Sequence, residues 1–221
     1  MPLPRISPYE LPPVDTTQNR TSWRIEPDRA VLLVHDMQRH FVDAFVDAPE
    51  AQISTAITAI RALLRRCRAQ GIPVVYTAQP PGQDQADRGL LTDLWGPGLA
   101  TPESARIVDE LEPAASDDVL TKWRYSAFHR SDLAHRMRNR RRDQLIVTGV
   151  YAHIGCLTTA LDAFMQNIEV FFAADAQADF SLEEHEMAIR YVAGRCGQVT
   201  TAAGLLDDLD PQPAQAAGAA L

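Results

Sequence analysis

Short apolar runs alternate with segments of helical periodicity along most of this chain, and that alternation leaves few folds open. Ala30-Val31-Leu32-Leu33-Val34 reads as a buried strand, Ile53, Ile57, Ile60 and Leu64 recur at helical spacing, and Ile72-Pro73-Val74-Val75-Tyr76 reads as a second strand. This is one βαβ unit. The sequence then predicts a loop from Gln79 to Leu99, a helix near Pro102 to Leu111, a short strand over 118–121 and a helix over 131–139. A strand over 144–149, a helix over 155–166, a strand over 169–173, a helix from Leu182 to Arg195 and a short strand over 198–200 continue the pattern. Apolar strands separated by helices build a mostly parallel sheet covered on both faces, so the expected fold class is α/β, a three-layer α/β/α, Rossmann-like sandwich.

At 221 residues the chain suits one domain with a sizeable core. Residues 1–28 are rich in proline and polar side chains and are expected to form an extended arm. Residues 29–209 form the folded domain, and the low-complexity stretch 210–221 is expected to be a disordered tail. Hydrophobic residues at 46% and charged residues at 23% argue against global disorder.

The formal charge of -8 gives no footprint for nucleic acid. The basic run Arg136 to Arg142 reads as a solvated helix end whose cations complement the dipole. No run reaches the ~18 apolar residues of a membrane span, and the opening residues contain no apolar signal core. Cys67, Cys156 and Cys196 are too few and scattered for a disulfide framework, which fits a reducing compartment, and a cytoplasmic location is expected.

Chemistry concentrates where strands end. Asp36, Gln79, Lys122 and Tyr151 each follow a predicted strand, and a parallel sheet places all four at one edge, where open α/β sheets bind ligands. A carboxylate and an ammonium on neighbouring strand ends can pair and orient a proton donor, which makes Asp36 and Lys122 the leading catalytic candidates. The same pair also serves as a structural ion pair at the rim of a sheet. The six histidines show no HxH or HExxH pattern, so neither a metal nor another cofactor is expected. The run Gly149 to Cys156 carries a buried strand straight into a helix start, placing a site at Val150 to Cys156. There Cys156 reads equally as a thiol activated at a helix N-terminus and as a small buried hydrophobe.

Several ordered blocks resemble the isochorismatase family: His35-Asp36-Met37-Gln38, Tyr76-Thr77-Ala78-Gln79-Pro80, Trp95-Gly96-Pro97-Gly98, Lys122 to Phe128, Gly149 to Gly155, and Ala174 to Ser181. The likeness runs to about Asp208. The wider superfamily includes cysteine amidohydrolases whose Asp, Lys and Cys act together, the Cys lying seven positions before the Asp of a Leu-Asp-Ala run. Counting back seven from Asp162 reaches Gly155, with Cys156 turned by roughly 100° along a helix. By the resemblance, glycine replaces the nucleophile and leaves room for a ring, and Cys156 becomes a packing residue.

The resemblance implies a specific reaction: hydrolysis of the enolpyruvyl ether of isochorismate to pyruvate and 2,3-dihydro-2,3-dihydroxybenzoate, with Asp36 as the acid. It also implies that Gln79, Arg88, Tyr151 and the Gly155 amide bind substrate carboxylates, that Trp95, Tyr125 and Phe41 wall the ring, and that the Val150–Tyr151 peptide is cis. A small chorismate-derived substrate, a homodimer and a separate aryl carrier protein are the partners implied. The alternatives are a 2-amino-2-deoxyisochorismate hydrolase of a phenazine-type pathway, a thiol amidohydrolase using Cys156, and a catalytically silent scaffold subunit.

Overall fold

A computed structural model describes residues 3–11, 13–46, 48 and 51–210. Along the chain run β1 (Ala30–His35), α1 (Arg39–Val42), α2 (Gln52–Ala69), β2 (Val74–Ala78), α3 (Gln85–Arg88), α4 (Leu91–Trp95), α5 (Pro102–Ala105), β3 (Asp118–Thr121) and α6 (Leu133–Asn139). There follow β4 (Gln144–Val150), α7 (Leu157–Met165), β5 (Glu169–Ala178), α8 (Leu182–Arg195), β6 (Gln198–Thr200) and α9 (Ala202–Asp208). The strands form one six-stranded sheet in the order β3-β2-β1-β4-β5-β6, and every pairing between neighbours is parallel.

The two-residue period of a strand divides the core into two layers. Leu32 and Val34 of β1 join Ile146 and Phe171 on the face covered by α2 and α9, where Ile53, Ala56, Ile60, Leu63 and Leu205 pack. Val31 and Leu33 point the other way, with Leu145, Val147 and Phe172, onto Leu133 and Met137 of α6, Ala160 and Ala163 of α7 and Val192 of α8. Both faces are dry, so β1 and β4 are buried along their whole length. That is why they read as unbroken apolar runs.

The described residues before β1 cross the molecule and, among them, a 3-10 turn forms at Thr16–Gln18. Ile6 is buried and pairs with Phe45. Asn19 both donates to the Val199 carbonyl and accepts from the Val199 amide, each at 2.8 Å, covering the outer edge of β6. An open strand edge is a template for unwanted pairing, and this side chain closes it. The tail from 211 onward lies outside the described residues.

Several element boundaries differ from expectation, among them α6, which begins at Leu133, and β5, which runs on to Ala178; four of the differences have identifiable reasons. The single helix near Pro102 to Leu111 is instead α5 and a 3-10 turn at Asp109–Leu111. A Thr101/Ser104 capping box with Pro102 starts α5, but Ile107 then bridges Gln38 and pulls the backbone straight. The second strand starts at Val74 because Ile72 is still bonded to Cys67 at the end of α2. The loop 79–99 contains α3 and α4, each closed by a glycine, Gly89 and Gly96, with positive φ. Finally, α7 is preceded by a wide π-type turn, Ala152–Cys156.

The basic run closes α6 as a largely exposed helix end, with Arg138, Arg140 and Arg141 in solvent, and some of its cations also grip neighbours. Arg136 and Arg140 grip Asp118 at 2.7 Å each, and Arg142 donates to the carbonyls of Pro27 and Ala30.

Candidate active site

The order of the sheet reverses between β1 and β4, and doubly wound sheets open a crevice beyond their carboxyl ends at such a point. Register brings the four strand ends level: His35 pairs with Thr77 and Gly149, and Ala78 with Thr121. Asp36, Gln79, Lys122 and Tyr151 therefore emerge side by side. One pocket is lined by all of them together with Phe41, Arg88, Trp95, Tyr125 and Gly155, so of the residues singled out from the sequence as candidates for the site the fold gathers all but Cys156.

Asp36 and Lys122 form the floor. They are 5% and 4% exposed, and Lys122 Nζ donates to Asp36 Oδ2 at 2.9 Å. The Thr77 hydroxyl donates to Asp36 Oδ1 at 2.6 Å. Burial alone pushes this carboxyl up, but the cation of Lys122, with His35 and the Thr77 hydrogen bond, outweighs it and holds the group below its ordinary value. Asp36 itself sits at φ 49°, a left-handed turn that aspartate tolerates better than most residues.

Arg88 is 4% exposed and among the described residues makes no salt bridge. Its Nε donates to the Gly96 carbonyl at 2.6 Å, and its Nη1 to Gln79 Oε1 and Gln83 Oε1 at 3.2 and 3.3 Å. A β-carbon on Gly98 would come within 2.7 Å of this guanidinium, so glycine is needed there. The Gln79 backbone is fixed by Gln38, whose amide accepts from the Gln79 N–H at 2.8 Å and donates to its carbonyl at 2.9 Å. A buried cation bonded only to neutral acceptors is suited to an incoming anion.

The walls are aromatic. The Trp95 indole donates to Tyr125 Oη at 2.8 Å, linking the α4 segment to the loop after β3. Tyr151 lies 4.3 Å from Phe180 between ring centroids, and Phe41 stands edge-on to Tyr151 at 6.1 Å. The Tyr151 hydroxyl donates to the Phe41 carbonyl at 3.1 Å, and burial pushes its pKa up, so it remains protonated. The Val150–Tyr151 peptide is cis. Below, Asp179 secures the π-type turn by accepting from the His153 amide and imidazole, both at 2.6 Å.

Gly155 is in the pocket wall, but the room it was expected to leave for substrate is already taken. A β-carbon built there would lie 2.2 Å from His35 Cε1, so the imidazole of His35 fills the space. Cys156 points away: it is fully buried, its thiol lies 3.8 Å from the Thr148 carbonyl, and burial raises its pKa well above the ordinary value. It is a core residue.

Sequence reasoning missed Arg124, His40 and Phe180, which line the pocket, and Thr77 and His35, which stand against Asp36 without lining it. Thr77 and His35 lie within apolar strands, where pattern reading assigns them to packing. Thr77, His35, Phe180 and Arg124 all stand inside the blocks that carry the family resemblance, which was the available signal. His153, Asp179 and Glu184 also converge, from three separate elements and without a spacing motif, and hydrogen bonds occupy the His153–Asp179 contact.

A parallel doubly wound sheet with a buried acid–ammonium pair at its switch point is the setting of an α/β enzyme site. The family model described as "Isochorismatase domain" matches residues 30–204. The chain is 54% identical over 216 residues to "Isochorismatase" of Bacillus subtilis, covering 97% of this chain and 69% of that one. It is 48% identical over 208 residues to "Phenazine biosynthesis protein PhzD1" of Pseudomonas aeruginosa, covering 93% and 99%. The solved structure of an isochorismatase family protein from Burkholderia thailandensis superposes with a TM-score of 0.76 at 26% identity, covering 85% of this chain and 98% of that one. The chain belongs to the isochorismatase family and is a hydrolase.

Proposed function

We propose that the protein hydrolyses the enolpyruvyl ether of isochorismate, giving pyruvate and 2,3-dihydro-2,3-dihydroxybenzoate. The observation that carries this reading is the composition of the pocket. Among the described lining residues none bears a thiol or an aliphatic hydroxyl, whereas a buried carboxyl stands at the floor. Such a site favours proton transfer over covalent catalysis. Three cations, Arg88, Lys122 and Arg124, face one carboxylate, Asp36, which suits a substrate with two carboxylates.

In this mechanism Asp36 gives its proton to the terminal methylene of the enolpyruvyl group. The positive charge moves to the ether-bearing carbon as an oxocarbenium ion, stabilised by the aspartate left behind. Water adds to that carbon and returns a proton to Asp36. The hemiketal then collapses, expelling the ring hydroxyl and releasing pyruvate. The site's own residues hold Asp36 ionised. A dianionic substrate beside Lys122 and Arg88 reverses that balance, because added negative charge favours the neutral acid. Substrate binding thus loads the catalytic proton.

The same pocket supports a second reading, 2-amino-2-deoxyisochorismate as substrate, on the strength of the 48% identity to the phenazine biosynthesis protein. A homodimer and a discrete aryl carrier protein are proposed as partners on family likeness alone, and a cytoplasmic location goes with them.

Pyruvate release from isochorismate and from its 2-amino analogue tests these readings together. Asp36→Asn is expected to lose about 100- to 10,000-fold in kcat, the usual worth of a positioned acid. Cys156→Ala is expected to keep a rate near wild type. Full activity in Asp36→Asn overturns the mechanism, and loss of activity in Cys156→Ala with its fold intact restores the thiol reading.

A further inference from the structure

His35 ends β1 and is fully buried, yet no part of it lines the pocket. Two glycines shape themselves around it. At Gly149, φ 106°, a β-carbon would lie 2.1 Å from the His35 carbonyl oxygen. At Gly155 a β-carbon would lie 2.2 Å from Cε1, 2.9 Å from Nε2 and 3.0 Å from Nδ1. Real β-carbons do not approach a ring so closely, and this ring cannot retreat, being enclosed on every side.

The imidazole is also fixed in rotation. Its Nδ1 lies 3.0 Å from the Val150 carbonyl, which can only accept, so Nδ1 carries the hydrogen. Nε2 is then a lone pair, and it is buried with no hydrogen-bond partner among the described residues. Burial, with Lys122 close by, lowers the pKa to about 4 and keeps the ring neutral. A neutral, unpartnered nitrogen contributes little to stability by its own bonding, which directs attention to the volume that the ring fills.

We propose that His35 is a specificity-determining residue: its imidazole occupies the volume into which a side chain on residue 155 would project, and so keeps any nucleophile out of the Asp36–Lys122 site. Gly155 is then required by His35 rather than by the substrate. The acid–ammonium pair, which could otherwise deprotonate a neighbouring thiol, is confined to handing protons to substrate. This deepens the reading of the pocket as a proton-transfer site, but its test needs no substrate, so its failure and that of the reaction assignment are separable.

The test is a double-mutant cycle read by thermal unfolding, followed by thiol labelling. Gly155→Ala alone is expected to lower Tm by roughly 5 °C or more, the effect of overpacking a rigid site. In a His35→Ala background the same change is expected to cost nothing or to raise Tm, because the new methyl enters the space the ring has vacated. An equal drop in both backgrounds overturns the proposal.

Cysteine in place of alanine gives the chemical readout. The native Cys67, Cys156 and Cys196 are all buried, so background labelling is slow. Below each variant's Tm, iodoacetamide is expected to alkylate the new thiol of His35→Ala/Gly155→Cys roughly an order of magnitude faster than that of Gly155→Cys. Adding Asp36→Asn to the double variant is expected to slow it again. A Gly155→Cys protein with wild-type Tm and equally fast labelling also overturns the proposal.

Discussion

Asp36 shows how much of this site depends on single atoms. Its two carboxyl oxygens are divided between Lys122 and the Thr77 hydroxyl, and both partners come from strands other than its own. Asp36 and Lys122 were legible in the sequence because each follows a predicted strand, and polar residues at strand ends stand out. Thr77 and His35 were marked only by the blocks of family resemblance, since by pattern a buried threonine or histidine within an apolar strand looks like packing.

His35 has a measurable consequence for stability. Unfolded, its imidazole takes up a proton near 6.5, whereas folded it resists protonation down to about 4. Between these values the unfolded chain binds more protons, so stability falls as pH falls through that window, by up to about 3 kcal/mol for this one group. Thermal unfolding across the window checks this, and His35→Ala is expected to flatten the slope. Arg88, bonded only to neutral acceptors, acts on binding. Arg88→Gln is expected to raise KM by roughly 10- to 100-fold, the worth of a hydrogen bond to a charged group, with a smaller change in kcat.

Among the elements, long strands and helices followed from periodicity, and the short pieces around the pocket did not. The sheet and α2 bury residues at regular spacing, so their patterns survive in the sequence. The α3, α4 and α5 segments are each four or five residues long and are set by caps and glycine turns. Elements so short carry no measurable period. The π-type turn before α7 is held from outside by Asp179, whose carboxylate also accepts from the Phe180 amide at 2.8 Å. Asp179→Ala is expected to lower stability by about 2 to 4 kcal/mol, because three donors lose a buried charged acceptor. Since Tyr151 and Phe180 flank this anchor, KM should rise as well, and urea unfolding with steady-state kinetics separates the two effects.

For the molecule as a whole, a negative net charge is combined with a pocket richer in cations than in carboxylates. The chain carries a net charge of -8, while Arg88, Lys122 and Arg124 meet at the site. A dianionic substrate is therefore repelled at long range and attracted only near the opening. Exposed charges are screened beyond about 8 Å at physiological ionic strength, and buried ones much less. Moderate salt is expected to raise kcat/KM by screening the surface before higher salt weakens the pocket contacts. A rate that falls steadily from the lowest salt contradicts this picture.

The amino-terminal arm bears on how the enzyme is handled at the bench. Leu3 of the extended arm forms part of the pocket wall. Any segment fused to this arm, a purification tag included, is therefore tethered to a strand of chain that reaches the pocket. Kinetic constants measured on such a fusion describe an altered doorway, and cleaving the tag before assay is the appropriate control.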